Sequence, residues 1–423
     1  MKDDKAVENA YEAAKEKYLQ LGVSTEQAIA ELRTIALSIH CWQGDDVQGF
    51  DGTASPVSAG IQATGAYPGK ARTAGELRAD LAKALSLIPG RHRVNLHAMY
   101  AETDGKVQRN ELTVEHFSRW VDWAAANGLG MDFNGTFFAH PKAQSGFTLA
   151  SADEGIRKFW VEHGIACRRI GEQMGRRLDT ACVTNIWIPD GYKDIPADRK
   201  GPRERLKRSL DEIFAEKLSR QYLLDSVEGK LFGIGSESYV AGSHEFYLAY
   251  AVKHSILLCL DMGHFHPTEV VSDKISAALA FLDRIMLHIS RAVRWDSDHV
   301  AVFSDELQAL AQELVRGNYL PRVHLALDFF DASISRVAAW VIGARSAIKA
   351  VLFALLEPTA RLREFEANGD FTSRLALQEE IKTLPFGAVW DYYCFSSGVP
   401  LEGRWLGDVK KYDAEVTGKR NKR

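Results

Sequence analysis

The sequence predicts a (β/α)8 barrel with a long C-terminal helical extension. Short apolar runs of the kind that form parallel strands buried on both faces recur along the chain as far as Ser335. A stretch with apolar residues at helical spacing follows most of them, the alternation expected of βα units. Beyond Ser335 the strand-like runs stop and only helical spacing continues.

The chain opens with helical spacing over residues 5–32 (Ala6, Ala10, Ala13, Ala14, Tyr18, Leu21), restarted at Ser24-Thr25-Glu26. Ile35–His40 is the first predicted strand. From about Gly44 to Lys70 the composition turns to Gly, Ser, Thr, Pro and Asp, which reads as a binding loop or lid. Thr73-Ala-Gly-Glu76 has the form of a capping box, opening a helix with Leu77, Leu81, Leu85 and Ile88 on one face. Strand Val94–Ala98 precedes a helix over about Val114–Ala126, closed by Asn127-Gly128. Strand Leu129–Phe133 leads to a helix over about Gly155–Arg177, and Cys182–Ile188 to one near Arg203–Ala215. A weaker fifth strand is placed at Ser226–Phe232. Ile256–Asp261 precedes a helix near Ser272–Leu282, Arg284–Ile289 one from Asp305 to Val315, and Arg322–Asp328 is the eighth strand. Three regions follow: N-terminal helices over 1–34, a catalytic barrel over 35–335, and a helical extension over 336–423 whose aromatic residues suit subunit contacts. The tail TGKRNKR reads as frayed and solvated.

With 423 residues, 46% of them hydrophobic, the chain can bury a large core. The net charge of -4 and the lack of any run of five like charges disfavour a nucleic-acid surface. Five scattered cysteines without a C-x-x-C pair suit reduced thiols in a cytoplasmic protein. The charged, helix-patterned N-terminus is no signal peptide, and no apolar run approaches the roughly 20 residues of a membrane span.

Barrel enzymes carry their chemistry at the C-terminal ends of the strands. Here those ends hold His40, His97, Asp132, Asn185 with Trp187, Glu228 with Lys230, Asp261 with His264, His288, and Asp328. Buried carboxylates on consecutive strands repel one another unless a cation binds among them. One metal site would take Glu228, Asp261, His288 and Asp328. A second would take His264, Asp296 and Asp298, with Asp261 as a bridge. Oxygen-rich ligation with one imidazole suits Mn²⁺, Mg²⁺ or Co²⁺ better than a structural Zn²⁺ site. Each residue has a plainer reading alone. Asp296-x-Asp298 also suits a turn or helix cap, His40 and His97 suit the core, Lys230 suits an internal ion pair, and His266 is a rival to His264. Taken together, acids ending strand after strand favour metal.

Several runs carry a resemblance: HCWQGDDVQGF (40–50), GIQATGAYPGKARTAGELRADL (60–81), NIWIPDGYKDI (185–195), KLFGIGSESY (230–239), LCLDMGHFHPTEVVSDKISAA (258–278), VRWDSDHV (293–300), LDFFDASISRVAAWVIG (327–343) and LLEPTA (355–360). Over nearly its whole length the chain resembles the L-rhamnose isomerase family of the enterobacterial type, among the xylose isomerase-like barrels. The resemblance implies a (β/α)8 barrel, a homotetramer, and Mn²⁺-dependent interconversion of L-rhamnose and L-rhamnulose. It places the catalytic manganese on His264, Asp296 and Asp298, and a neighbouring structural divalent ion, Mn²⁺ or Zn²⁺, on Glu228, Asp261, His288 and Asp328.

The reaction so implied moves one hydrogen between C1 and C2 of an opened sugar. A metal-assisted 1,2-hydride shift is expected, with enediol proton transfer, or a related isomerase or epimerase acting on another L-sugar, as alternatives. Lys230, His97 and Asp328 are the expected catalytic residues: Lys230 stabilising charge at O1 and His97 opening the ring. Trp187 and Trp42, with His97 and Lys230, are expected to bind the sugar. A metal-dependent endonuclease on the same barrel, or a carbohydrate-binding module with a structural ion, are rivals; the first lacks a basic groove, and the second leaves the ionisable barrel mouth without a purpose.

Overall fold

The computed structural model describes residues 2–52, 63–230, 236–266, 268–294 and 297–420. Eight parallel strands close into a barrel: β1 Ala36–His40, β2 Arg91–His97, β3 Gly130–Asn134, β4 Cys182–Ile186, β5 Leu223–Glu228, β6 Leu257–Asp261, β7 Ile285–Ile289 and β8 Val323–Leu327. Each strand lies beside its sequence neighbours. The ring closes where β1 meets β8, with Leu37 opposite Leu325 and Ser38 opposite Ala326.

Side chains alternate along a strand, so the residues of one parity stack inside the barrel. Val183, Leu224, Leu257, Cys259, Met286 and Ala326 form one apolar cluster. Two positions further on, the same parity carries Asn185, Ser226 then Glu228, Asp261, His288 and Asp328. An apolar layer thus supports a polar one at the C-terminal mouth. The larger core lies outside the strands, where their other faces meet the surrounding helices.

The structure corrects several expectations. The fifth strand is Leu223–Glu228, earlier than Ser226–Phe232; Asp225 breaks its apolar run but is held by a two-point ion pair to Arg168. Residues 231 and 232 of the predicted strand lie outside the described residues. A helix at His244–His254, which the sequence does not suggest, connects β5 to β6. Two short strands, Gly191–Tyr192 and Tyr239–Val240, pair antiparallel above the barrel. Thr73 does cap the helix Ala74–Leu85, but Glu76 reaches back to the backbone of Arg72 rather than of Thr73.

Helix Arg336–Leu355 falls within the predicted extension but belongs to the barrel. It packs against Asp305–Arg316, Ala74–Leu85 and β1, completing the ring of helices around the strands. It is long and apolar enough to cross a membrane, yet 83% of its most apolar window is buried inside the protein, as befits a core helix. Helices Thr359–Ala367, Phe371–Glu380, Phe386–Ser396 and Trp405–Glu415 follow it.

The tail is not frayed as far as Arg420. That guanidinium is buried and grips both oxygens of Asp80 at 2.6 and 2.8 Å, while donating to the carbonyl of Gly69. Nothing local in TGKRNKR announces a contact made 340 residues away in sequence.

Candidate active site

β5 ends on Glu228 and β6 on Asp261; His288 is the fourth residue of β7, and Asp328 directly follows β8. Register does the rest. Asp261 lies opposite His288, and Glu228 opposite Cys259, two residues below Asp261. Ligand-capable atoms of Glu228, Asp261, His288 and Asp328 all lie within 4.8 Å of one another. A second group, Asp261, His264 and Asp298, meets the same limit, so Asp261 belongs to both. Asp296 lies outside the described residues.

Each carboxylate has one oxygen tied to the scaffold and one turned to the centre. Glu228 Oε2 accepts from Asn185 Nδ2 at 2.5 Å. Asp328 Oδ1 accepts from the indole N–H of Trp42 at 2.9 Å. Asp261 Oδ1 accepts from Ser290 Oγ at 2.9 Å and from the backbone N–H of Gly263 at 2.6 Å. The opposite oxygens converge on His288 Nδ1, with Glu228 Oε1 and Asp328 Oδ2 at 3.1 Å and Asp261 Oδ2 at 3.5 Å. His264 Nδ1 lies 3.2 Å from Glu228 Oε1. One ring nitrogen cannot serve three carboxylates, and Asp261 Oδ2 is buried with no hydrogen-bond partner.

Such a set fits a divalent cation. Its outer atoms are oriented by second contacts, as metal ligands are, and a buried acceptor is left facing inward.

The electrostatics reflect the crowding. Burial would raise Glu228, but the His288 and His264 imidazoles beside it hold its carboxyl below the usual range. Burial would deprotonate His288; its acidic neighbours, among them Glu228, Asp261 and Asp328, instead hold its proton well above ordinary imidazole values. Burial raises Asp328. His97 is pushed down to about 3 by burial and by Arg109, and is neutral at ordinary pH.

Above this cluster lies a pocket. Trp42, His97 and Trp187 line it together with Glu228, His264, His288, Asp298 and Asp328. Lys230 is buried, its ammonium 5.2 Å from the ring centre of the wall residue Trp187. His40 is in the core, its Nε2 against the carbonyl of Phe329. His266 is exposed and bonded to Thr268, apart from both groups. Asp132 points into the barrel but one layer too low, where Arg93 and Ser38 hold it. The strand-end residue of β3 is Asn134, in register with His97 on one side and Asn185 on the other.

Asn134, Phe138, Phe330 and Val47 also line the pocket, and sequence reasoning does not single them out. Asn134 was within reach, since it shares a strand face with Asp132. Val47, Phe138 and Phe330 sit on loops, where no periodicity points to them.

An L-rhamnose isomerase (RhaA) family model matches residues 5–420. The chain belongs to the L-rhamnose isomerase family. It is 58% identical to an L-rhamnose isomerase from Rhodopirellula baltica over 98% of this chain and 97% of that one. It is 55% identical to the Citrobacter koseri L-rhamnose isomerase over 98% and 99%. Among solved structures, an L-ribulose 3-epimerase is similar over 78% of this chain and 97% of its own, with a TM-score of 0.47 and 15% identity. The enzyme is therefore an aldose–ketose isomerase that interconverts L-rhamnose and L-rhamnulose, and the pocket over the carboxylate cluster is the candidate place for that reaction.

Proposed function

We propose that the isomerisation proceeds by a 1,2-hydride shift on an opened sugar held in this pocket. The catalytic ion would be Mn²⁺, held by His264, Asp296 and Asp298 with Asp261. A structural ion, Mn²⁺ or Zn²⁺, would be held by Glu228, Asp261, His288 and Asp328. When bound, the divalent ion supplies positive charge that polarises a carbonyl and stabilises an alkoxide. The observation that carries this reading is the set of three carboxylates, each with one oxygen fixed outward and the other directed to a common centre.

Atoms balance within the sugar. The C2–H bond breaks and its electron pair forms a C1–H bond. The π pair of the C1 carbonyl ends on O1, which takes a proton, while O2 loses its proton as the C2 carbonyl forms. Of the four residues at the centre, Asp328 is the most open to the pocket, at 18% side-chain exposure against 0–3% for Asp261, Glu228 and His288. Asp328 accepts the O2 proton, a role its greater exposure supports. Lys230 stabilises the charge that develops at O1. His97, neutral and packed edge-on to Trp42, exchanges a proton with O5 or O1 to open the ring. Trp42 and Trp187 offer apolar faces to the sugar.

A cytoplasmic setting is supported by five free, buried cysteines. A homotetramer is supported by exposed apolar residues such as Phe371 and Leu375 on one C-terminal helix.

Turnover in D₂O tests the hydrogen transfer. The hydride shift keeps the original hydrogen, so the product carries little deuterium at C1. Extensive incorporation there would replace it with the enediol route.

A further inference from the structure

We propose that Arg336 is a positioning residue of the sugar pocket, acting through Asp46 on the wall residue Val47. The inference rests on the assignment of the sugar to that pocket.

Asp46 and Val47 both have left-handed backbones, with φ of 62° and 59°. That region is poor for any residue with a Cβ and worst for a β-branched one. Consecutive residues hold it only where the surroundings impose it.

Here the surroundings do. The Arg336 guanidinium makes a two-point bond to Asp46, Nε to Oδ1 and Nη2 to Oδ2, both at 2.8 Å. On the other side, Asp45 accepts from the Tyr100 hydroxyl at 2.7 Å and from the backbone N–H of Gly49 at 2.6 Å. The third guanidinium nitrogen, Nη1, donates to the carbonyl of Tyr67 at 2.8 Å. Arg336 therefore ties together two stretches of the chain, one at Asp46 and one at Tyr67. It also begins the helix reached from Asp328 through the loop that carries Phe330, and Val47 and Phe330 both face the pocket. A buried guanidinium aimed at a strained turn beside the pocket is placed to hold that turn.

Lysine at 336 keeps the charge but loses the planar fork, and alanine removes both. Misplacing one wall of a pocket weakens substrate positioning, so Arg336→Ala raises KM for L-rhamnose about tenfold with kcat changed less than threefold, and Arg336→Lys falls between. Metal content stays at the parent level, because no ligand is touched. Asp46→Asn, which tolerates the left-handed backbone but cannot form the ion pair, raises KM in the same direction and carries the test should Arg336→Ala not fold. A merely structural role would lower the unfolding midpoint with KM unmoved, and that result overturns the proposal. Val47→Ala separates the two layers of the argument. Its KM rises if Val47 borders the sugar, and an unmoved KM there overturns the pocket assignment itself.

Discussion

Asp261 is the residue the two carboxylate groups share, and the substitution Asp261→Asn separates two effects that usually travel together. The amide oxygen of the variant side chain keeps the bonds from Ser290 and Gly263, so the backbone turn survives. Its amide nitrogen then faces the centre, a donor where an acceptor is needed. In the metal-free protein, unit charges no more than 4.8 Å apart at an effective dielectric of about 20 interact with at least about 3.5 kcal/mol. Asp261 suffers that repulsion twice, from Glu228 and Asp328, and is attracted once to His288 at 3.5 Å, worth about 4.7 kcal/mol. The balance leaves the metal-free variant more stable than its metal-free parent by at least about 2 kcal/mol. With metal the sign reverses: each ion at 100 times its dissociation constant adds about 2.7 kcal/mol to the parent, and the variant loses that at both sites. Calorimetry of chelator-dialysed protein, before and after adding Mn²⁺, reads both effects. A variant whose midpoint still rises with Mn²⁺ as the parent's does, and which still turns over L-rhamnose, would refute the reasoning.

Two further outcomes follow from other contacts. Trp42→Phe keeps an aromatic face beside His97 but removes the N–H that orients Asp328; metal affinity falls about 10–100-fold, read by metal titration, with the unfolding midpoint of the metal-free form little changed. His40, His97 and His163 are each pushed down to about 3 by burial, against an ordinary value of 6.5. Their neutral forms contribute stability that is complete above pH 6.5 and lost as pH falls toward 3, because the unfolded chain takes up protons that the folded one refuses. Urea midpoints should therefore decline steadily from about pH 6.5 to about 4.5, and a flat profile over that interval would contradict the burial of these rings.

The barrel was legible because its strands are short apolar runs, and their period of two decides what reaches the mouth. Once Leu257 and Cys259 face inward, Asp261 must, and the same parity delivers Glu228, His288 and Asp328. The same rule applied one layer too low misplaces Asp132. Other features depend on contacts that sequence does not announce. Helix His244–His254 was hidden because Phe246–Val252 is an unbroken apolar and aromatic run, which leaves no polar face to mark a stripe. Arg420 looks like part of a solvated tail because its partner, Asp80, lies far back in the chain. Val47 looks like loop, and only its left-handed backbone and its place on the pocket wall mark it out.

Metal content and turnover measured on one preparation test the central claim most directly. Purified protein is dialysed against chelator, analysed for bound metal and assayed with L-rhamnose, then reassayed as Mn²⁺ is returned in steps. Convergent carboxylates that need shared cations predict loss of activity with the metal, and recovery that saturates at about two ions per chain, one for each group. Undiminished turnover by protein shown to hold no metal would contradict the account.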